Sequence, residues 1–196
     1  GFSIYAFHKG TQKVYSPTRL TVPLPTLRLR LLETRDGNLW IAGLGQDAVL
    51  MDYGDGRWQT LENVQFHCQS QDGTNWFTLQ DTLITQRNDV WTQHDVSDGL
   101  MESVRAVVES QDGTIWVAGS QNDIATLARL DNGRWKQTSF PQLSSTLSSR
   151  SVYAAPDGSV WFGAYRPKEK LGQYGGVLVF KKVGGQWNHT HYRPSE

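Results

Sequence analysis

The sequence predicts an all-β chain made of four-stranded antiparallel units repeated along its length, and three observations predict it. The phrase "RDGNLW" at residues 35–40 returns as "QDGTNW" from Gln71, "QDGTIW" from Gln111 and "PDGSVW" from Pro156, which aligns Asp36, Asp72, Asp112 and Asp157 at steps of 36, 40 and 45 residues. A tryptophan stands four residues after each Asp (Trp40, Trp76, Trp116, Trp161) and another follows fifteen to twenty-six residues later (Trp58, Trp91, Trp135, Trp187), so all eight tryptophans fall two to a repeat. Each turn separates short runs of strand character: in the third copy "VRAVVES" precedes the turn, "TIWVAG" follows it, and "ATLARL", "DNG" and "RWKQTS" make a second hairpin. No window sustains a helical period. Four short strands recurring about every forty residues are the blades of a β-propeller.

Taken in order, the chain reads as one propeller segment, 1–196, with blades at 26–61, 63–95, 100–139 and 148–192. Residues 1–17 hold the outer hairpin of a partial blade, with Val14 and Tyr15 near the place of the second tryptophan and no inner strands before them. After Tyr192 only "RPSE" follows, too little to complete that blade, so the expected object is an arc of four blades and a half. Such an arc is cut from a larger propeller or completed by a second chain, and the start at Gly1 reads as processing or excision. Open strand edges at 4–16 and 187–192 invite pairing. Within each blade Gly37, Gly73, Gly113 or Gly158 supplies the positive φ the turn demands, and the Asp before it bonds its own backbone. The tryptophan that follows faces the next blade, and Trp40, Trp76, Trp116 and Trp161 are expected to be buried in equivalent surroundings. Propeller geometry holds equivalent turns apart, which sets aside a shared calcium or catalytic role for the four acids.

Composition narrows function. Nineteen basic residues balance nineteen acidic ones, so no global charge attracts nucleic acid or anionic lipid. No apolar run approaches the ~20 residues of a membrane span. Cys68 is the single cysteine, read as a buried strand residue with neither a disulfide nor a metal partner. His189 and His191 share a strand face but lack a third ligand, and no nucleophile–base set or P-loop is present; neither a catalytic residue, a metal nor a cofactor is assigned.

Function is then sought where the repeats vary. The turns between second and third strands read "GLGQD", "LQD", "SQND" and the insertion "AYRPKEKLGQYGG", and they share an end with the start of each inner strand, where the column reads Leu29, Gln65, Arg105, Arg150. Arg105, Arg150, Gln121, Asn122, Tyr165, Arg166, Lys168 and Lys170 are the candidate ligand contacts, with guanidinium and ammonium donors for carboxylate, sulfate or hydroxyl groups and aromatic faces for stacking. An anionic or carbohydrate-like small ligand fits them. The other reading of each arginine is an ion pair with a neighbouring carboxylate such as Glu102.

The stretch "SVRAVVESQDGTIWVAG", introduced by "HDVSDGLMES", resembles the two-component regulator propeller repeat of the periplasmic sensor regions of hybrid histidine kinases. That resemblance implies a non-catalytic, periplasmic or extracellular sensing module that detects carbohydrate fragments or other ligands and signals through dimer rearrangement. "PDGSVWFGA" also resembles the repeat of virginiamycin B lyase and lactonase-type propellers, which implies an enzyme fragment instead; the inner-strand column, lacking carboxylate and histidine, speaks against it.

Overall fold

The computed structural model describes residues 4–8, 11–15, 29–35, 39–43, 48–51, 58–61, 63–88, 90–143, 147–164 and 175–193, with side chains described at 34–35, 61, 63–88, 90–143, 151–164 and 175–193. The chain divides into two compact units, Gly1–Asn63 and Val64–Glu196. In the first, β1 (Ile4–His8) and β2 (Thr11–Tyr15) form an antiparallel hairpin with Ile4 opposite Tyr15. There too β3 (Leu29–Glu33), β4 (Leu39–Gly43), β5 (Ala48–Met51) and β6 (Trp58–Leu61) form a four-stranded meander, the first sheet.

The second unit repeats that meander. Its sheets are β7 (Val64–Gln69), β8 (Asn75–Leu79), β9 (Thr82–Arg87) and β10 (Val90–His94); β11 (Ser103–Glu109), β12 (Ile115–Gln121), β13 (Ile124–Asp131) and β14 (Arg134–Phe140); and β15 (Leu147–Ala154), β16 (Val160–Ala164), β17 (Gly176–Val183) and β18 (Gln186–Tyr192). Among the described residues the strands thus make four four-stranded antiparallel sheets and one two-stranded hairpin: the fold is an incomplete β-propeller. The Asp36–Gly37 turn lies outside the described residues, as does the side chain of Trp40.

Sheets two, three and four share one core in two layers. β11 lies beside β7 on one side and β15 on the other, the arrangement of first strands in a propeller. Trp76 and Leu83 of the second sheet are buried with Met101, Val104, Val117 and Trp135 of the third; Trp116, Leu127 and Phe140 of the third are buried with Val160, Phe162 and Phe180 of the fourth. In both layers the incoming sheet's outer-strand tryptophan meets the earlier sheet's inner one edge-on: Trp135 with Trp76 at 6.2 Å and 86°, Trp187 with Trp116 at 4.9 Å and 86°. Trp116 Nε1 is buried without a hydrogen-bond partner, whereas Trp76 Nε1 donates to Ser70 Oγ at 2.9 Å. An orphaned donor costs about 1–3 kcal/mol, less than an indole's burial and packing contribute, so packing decides the site.

The expected equivalence of the inner tryptophans stops at Trp161. Trp76 and Trp116 are 5% and 3% exposed, but Trp161 is 38% exposed. It occupies the same repeat position, and its face of the fourth sheet has no sheet packed on it among the described residues. Cys68, expected to be buried, is only partly so, at the margin of the Trp76 layer.

The Asp-Gly turns gather at one end of the sheets. Asp72 accepts from Ser70 Oγ at 2.6 Å and from Thr74 N at 3.0 Å, and Asp112 accepts from Ser110 Oγ at 2.7 Å and Thr114 N at 3.2 Å. Asp157 accepts from Ser159 in the same way. Gly73, Gly113 and Gly158 take φ of 87°, 81° and 81°. The cations differ. Arg87 pairs with Asp72 at 3.0 Å and Lys181 with Asp157 at 3.3 Å, each within its own sheet. The equivalent strand position in the third sheet holds an acid, Asp131, which pairs with Lys136 and Arg129. Asp112 is instead reached from the fourth sheet by Lys182, at 2.8 Å, whose ammonium also lies over the Trp187 ring, 5.8 Å from its centroid. Burial opposes the charge of Asp112, but hydrogen bonds from Lys182, Ser110 and Thr114 outweigh it and hold the carboxyl well below its ordinary range. Asp157, bonded by Ser159 and Lys181, is lowered to about 2.

Candidate functional site at the mouth between the second and third blades

At the opposite end, the connection from β10 to β11 fixes the site. Asp95 caps a single 3-10 turn, Val96–Asp98, accepting from Ser97 N at 2.8 Å while Asp98 Oδ2 accepts from Asp95 N at 3.1 Å. Gly99 then adopts φ 84°, where a Cβ would also stand 3.3 Å from the Trp135 carbonyl oxygen, and Leu100 and Met101 drop into the core. The "DGL" signature is therefore a cap, a turn and an anchor that deliver β11 to the second sheet.

Register does the rest. The β11–β12 pairing shifts between Val104 and Ala106, so Arg105 is the extra residue of a β-bulge, a device that re-aims a side chain. Across the bulge, a Cβ on Gly119 would fall 1.8 Å from the Ser103 carbonyl oxygen, an approach only glycine permits. Arg105 reaches the β8–β9 turn of the second sheet, where Nη1 lies 2.7 Å from Asp81 Oδ1 and Nη2 donates to Oδ2 at 3.1 Å. Val104 N donates to the Asp81 carbonyl at 2.8 Å. The partner of Arg105 is thus Asp81, not Glu102. Glu102 serves the β12–β13 turn: its backbone N donates to Gln121 Oε1 at 3.0 Å, and its carboxylate accepts from Asn122 N at 3.2 Å.

Beside this latch lies a cleft of about 230 Å³ whose walls include Asp81, His94, Asp95, Met101 and Glu102. His94 stacks on Trp76 at 5.9 Å, meets Trp135 edge-on at 6.2 Å and shares a hydrogen bond with Thr85 Oγ1 at 3.1 Å. Burial pushes its imidazole below the ordinary 6.5, against the pull of Asp98 and Asp95. Hydrogen bonds from Ser97 hold the Asp95 carboxyl below its ordinary range. The cleft therefore sets the Asp95 carboxylate, favoured in its charged form, beside an imidazole favoured in its neutral form, over an apolar floor that includes Leu83 and Val104.

Of the sequence-selected residues, the structure gathers Arg105, Gln121 and Asn122 at this mouth. Tyr165, Arg166, Lys168 and Lys170 lie outside the described residues, as does the side chain of Arg150. Asp81, Glu102, His94 and Asp95 were not selected. The "LQD" turn and the "HDVSD" loop contain three of them, and the blade register that sets a β8–β9 turn beside the next inner strand was the usable signal. Among the described residues no group of three or more His, Cys, Asp or Glu is placed to hold a metal ion, and no helix is long and apolar enough to cross a membrane.

The fold is that of an incomplete β-propeller. Solved structures that resemble it include two propellers. The extracellular domain of a one-component system from B. thetaiotaomicron superposes with a TM-score of 0.54 at 16% identity, over 84% of this chain and 28% of that one. A catalytically inactive virginiamycin B lyase from Staphylococcus aureus with quinupristin superposes with a TM-score of 0.51 at 16% identity, over 85% of this chain and 69% of that one. No family model and no curated protein matches the sequence.

Proposed function

We propose that the chain is a non-catalytic recognition module, the extracytoplasmic ligand-sensing part of a two-component signalling receptor. The observation that carries this reading is the contrast between the two ends of the sheets. At one end the Asp-Gly turn recurs, and in each of the three described copies the Asp accepts from the backbone N–H two residues on. At the other the turns vary, and Asp81, Glu102, Arg105, Gln121 and Asn122 converge beside a cleft. The repeat's resemblance to the regulator propellers and the likeness to an extracellular domain of a one-component system support it. The proposed ligand is a small anionic or carbohydrate-like molecule that the Arg105 guanidinium meets at the mouth; Arg150 and the basic insertion remain candidates from the sequence.

Calorimetry with a panel of acidic oligosaccharides tests this against the parent and an Arg105→Ala, Arg150→Ala double variant. Binding by the parent that falls at least about tenfold in the double variant is the expected result, equivalent to about 1.4 kcal/mol. Undiminished binding, or binding mapped to the Asp-Gly end, removes the placement. The alternative is a fragment of a propeller enzyme similar to virginiamycin B lyase or a lactonase, favoured by the fold shared with the lyase. Turnover of a cyclic depsipeptide or lactone by the parent would select it.

A further inference from the structure

At the Asp-Gly end a single carboxylate ties the second sheet to the third. Both oxygens of Glu109, at the end of β11, accept from the backbone N–H of Gln71 in the preceding sheet, at 2.9 and 3.0 Å, and Gln71 Nε2 donates to the Gln111 carbonyl oxygen at 3.3 Å. Repeat register puts Gln111 where Gln71 stands, since each directly precedes its turn Asp. It puts Ala154 where Glu109 stands, since Ala154 pairs with Val160 as Glu109 pairs with Ile115, each just before the inner tryptophan. The third sheet therefore offers the same exposed N–H to the fourth, and a methyl group faces it in place of a carboxylate. Gln111 N has no hydrogen-bond acceptor among the described residues.

A cleft of about 210 Å³ opens at that place, with Gln111, Ser159, Lys181, Lys182 and Trp187 among its walls. Its two acids are already answered: Asp112 by Lys182 at 2.8 Å and by Ser110, Asp157 by Lys181 at 3.3 Å and by Ser159. The earlier junction shows that a further carboxylate is accepted beside such turns, because Glu109 bonds the residue that precedes Asp72. What the later junction adds is two ammonium groups, and hydrogen bonds from a cation to a carboxylate are stronger than those from a neutral N–H. An ammonium has three donors, so Lys182 can hold Asp112 and still donate once more. Trp187 and Val183 set an apolar wall beside these donors. We propose that this cleft binds a small carboxylate ligand, whose oxygens accept from the Gln111 N–H, as Glu109 accepts from Gln71, and from Lys182, and whose body lies against Trp187. The site is at the opposite end of the sheets from the Arg105 mouth and does not depend on it.

Benzoate is the probe, and benzamide, of the same shape without the charge, is its control. In amide and indole NMR spectra of the chain, benzoate should move the Gln111 backbone and Trp187 indole signals saturably, and benzamide should bind several-fold more weakly. Lys182→Met should weaken benzoate by about fivefold or more. Ala154→Glu supplies the carboxylate from the chain itself: the Gln111 signal should be displaced before any probe is added and benzoate should no longer move it, whereas Ala154→Ser should respond as the parent does. The Arg105→Ala, Arg150→Ala double variant should also respond as the parent, which separates this site from the mouth. Four results overturn the proposal: benzoate that moves neither signal, an equal response to benzamide, undiminished benzoate binding in a folded Ala154→Glu, or a Gln111 signal in the parent that shifts with protein concentration alone, which would give the N–H to a second copy. Should Ala154→Glu fail to fold, an undiminished response in Lys182→Met overturns it equally.

Discussion

The third and fourth sheets carry the same phrase, and the same tryptophan has opposite fates in them. Trp116 is enclosed by Phe162, Phe180 and Trp187, at ring separations of 5.8, 4.9 and 4.9 Å, while Trp161 stands over a third exposed. The turn before them is closed alike, since Asp112 and Asp157 both accept from the backbone N–H two places on. What separates them is the neighbour. A repeat builds its own turn but borrows its core from the next unit, as one-dimensional repeat architectures do.

The sharpest way to break this comparison is to truncate both rings. Trp116→Ala should lower stability by about 3–5 kcal/mol, and Trp161→Ala by roughly a third of that or less. Urea midpoints of the two variants give the ratio; equal losses would mean that burial by the neighbour is not what the tryptophan responds to.

A smaller effect is expected at the bulge. The fourth sheet has Ala164 where the third has Gly119, and in the third a carbonyl oxygen comes to within 1.8 Å of the missing Cβ. Gly119→Ala should therefore cost about 1–3 kcal/mol through a forced shift of β11. Thermal melts check this, and the ordering of Arg105 should suffer with it.

The turn acids differ in where their cation comes from, and pH reads that out. Asp112 has its folded pKa held below the ordinary 3.8, so its contribution is complete above that value and is lost as pH falls from about 5 through 3.8 toward the depressed value. Between pH 6 and pH 2 the parent's urea midpoint should fall more steeply than that of Asp112→Asn. Lys182→Met should flatten the profile in the same direction while leaving Asp157 and its own Lys181 intact. A parallel fall in all three proteins would detach Asp112 from the contact between the third and fourth sheets.

The smallest effect is expected at the mouth. Arg105 and Asp81 are both about half exposed, and water screens them, so the pair should contribute no more than about 1 kcal/mol to folding despite its two contacts. A double-mutant cycle with Arg105→Ala and Asp81→Ala measures it. A coupling well above that would make the latch a structural device and leave less of Arg105 free for a ligand.

The turns, the strand count and the propeller were legible because glycine at a positive φ, Asp bonding two residues on and paired tryptophans are local signals at a fixed period. Trp161's exposure was not, because burial belongs to the neighbouring sheet and not to the six-residue phrase. Arg105 was singled out from its column, and the carboxylate it pairs with is Asp81 instead of the neighbouring Glu102: Glu102 is three residues away in sequence, and Asp81 is twenty-four away but one blade-width in space. Proximity along a strand misleads where a bulge turns the side chain toward another sheet.

Chains of look-alike units face a problem of address, since any unit can in principle dock where its sibling belongs, and misassembly between repeats is a common route to failed folding. Asp131 stands where the flanking sheets place Arg87 and Lys181, and this leaves Asp112 to be answered only from outside its own sheet, by Lys182. A sheet following the third without a lysine at that place would leave Asp112 with Ser110 and Thr114 as its donors and no cation. The cation of the third turn acid therefore comes from the next sheet, so this turn is joined to its neighbour by charge as well as by the shared apolar core.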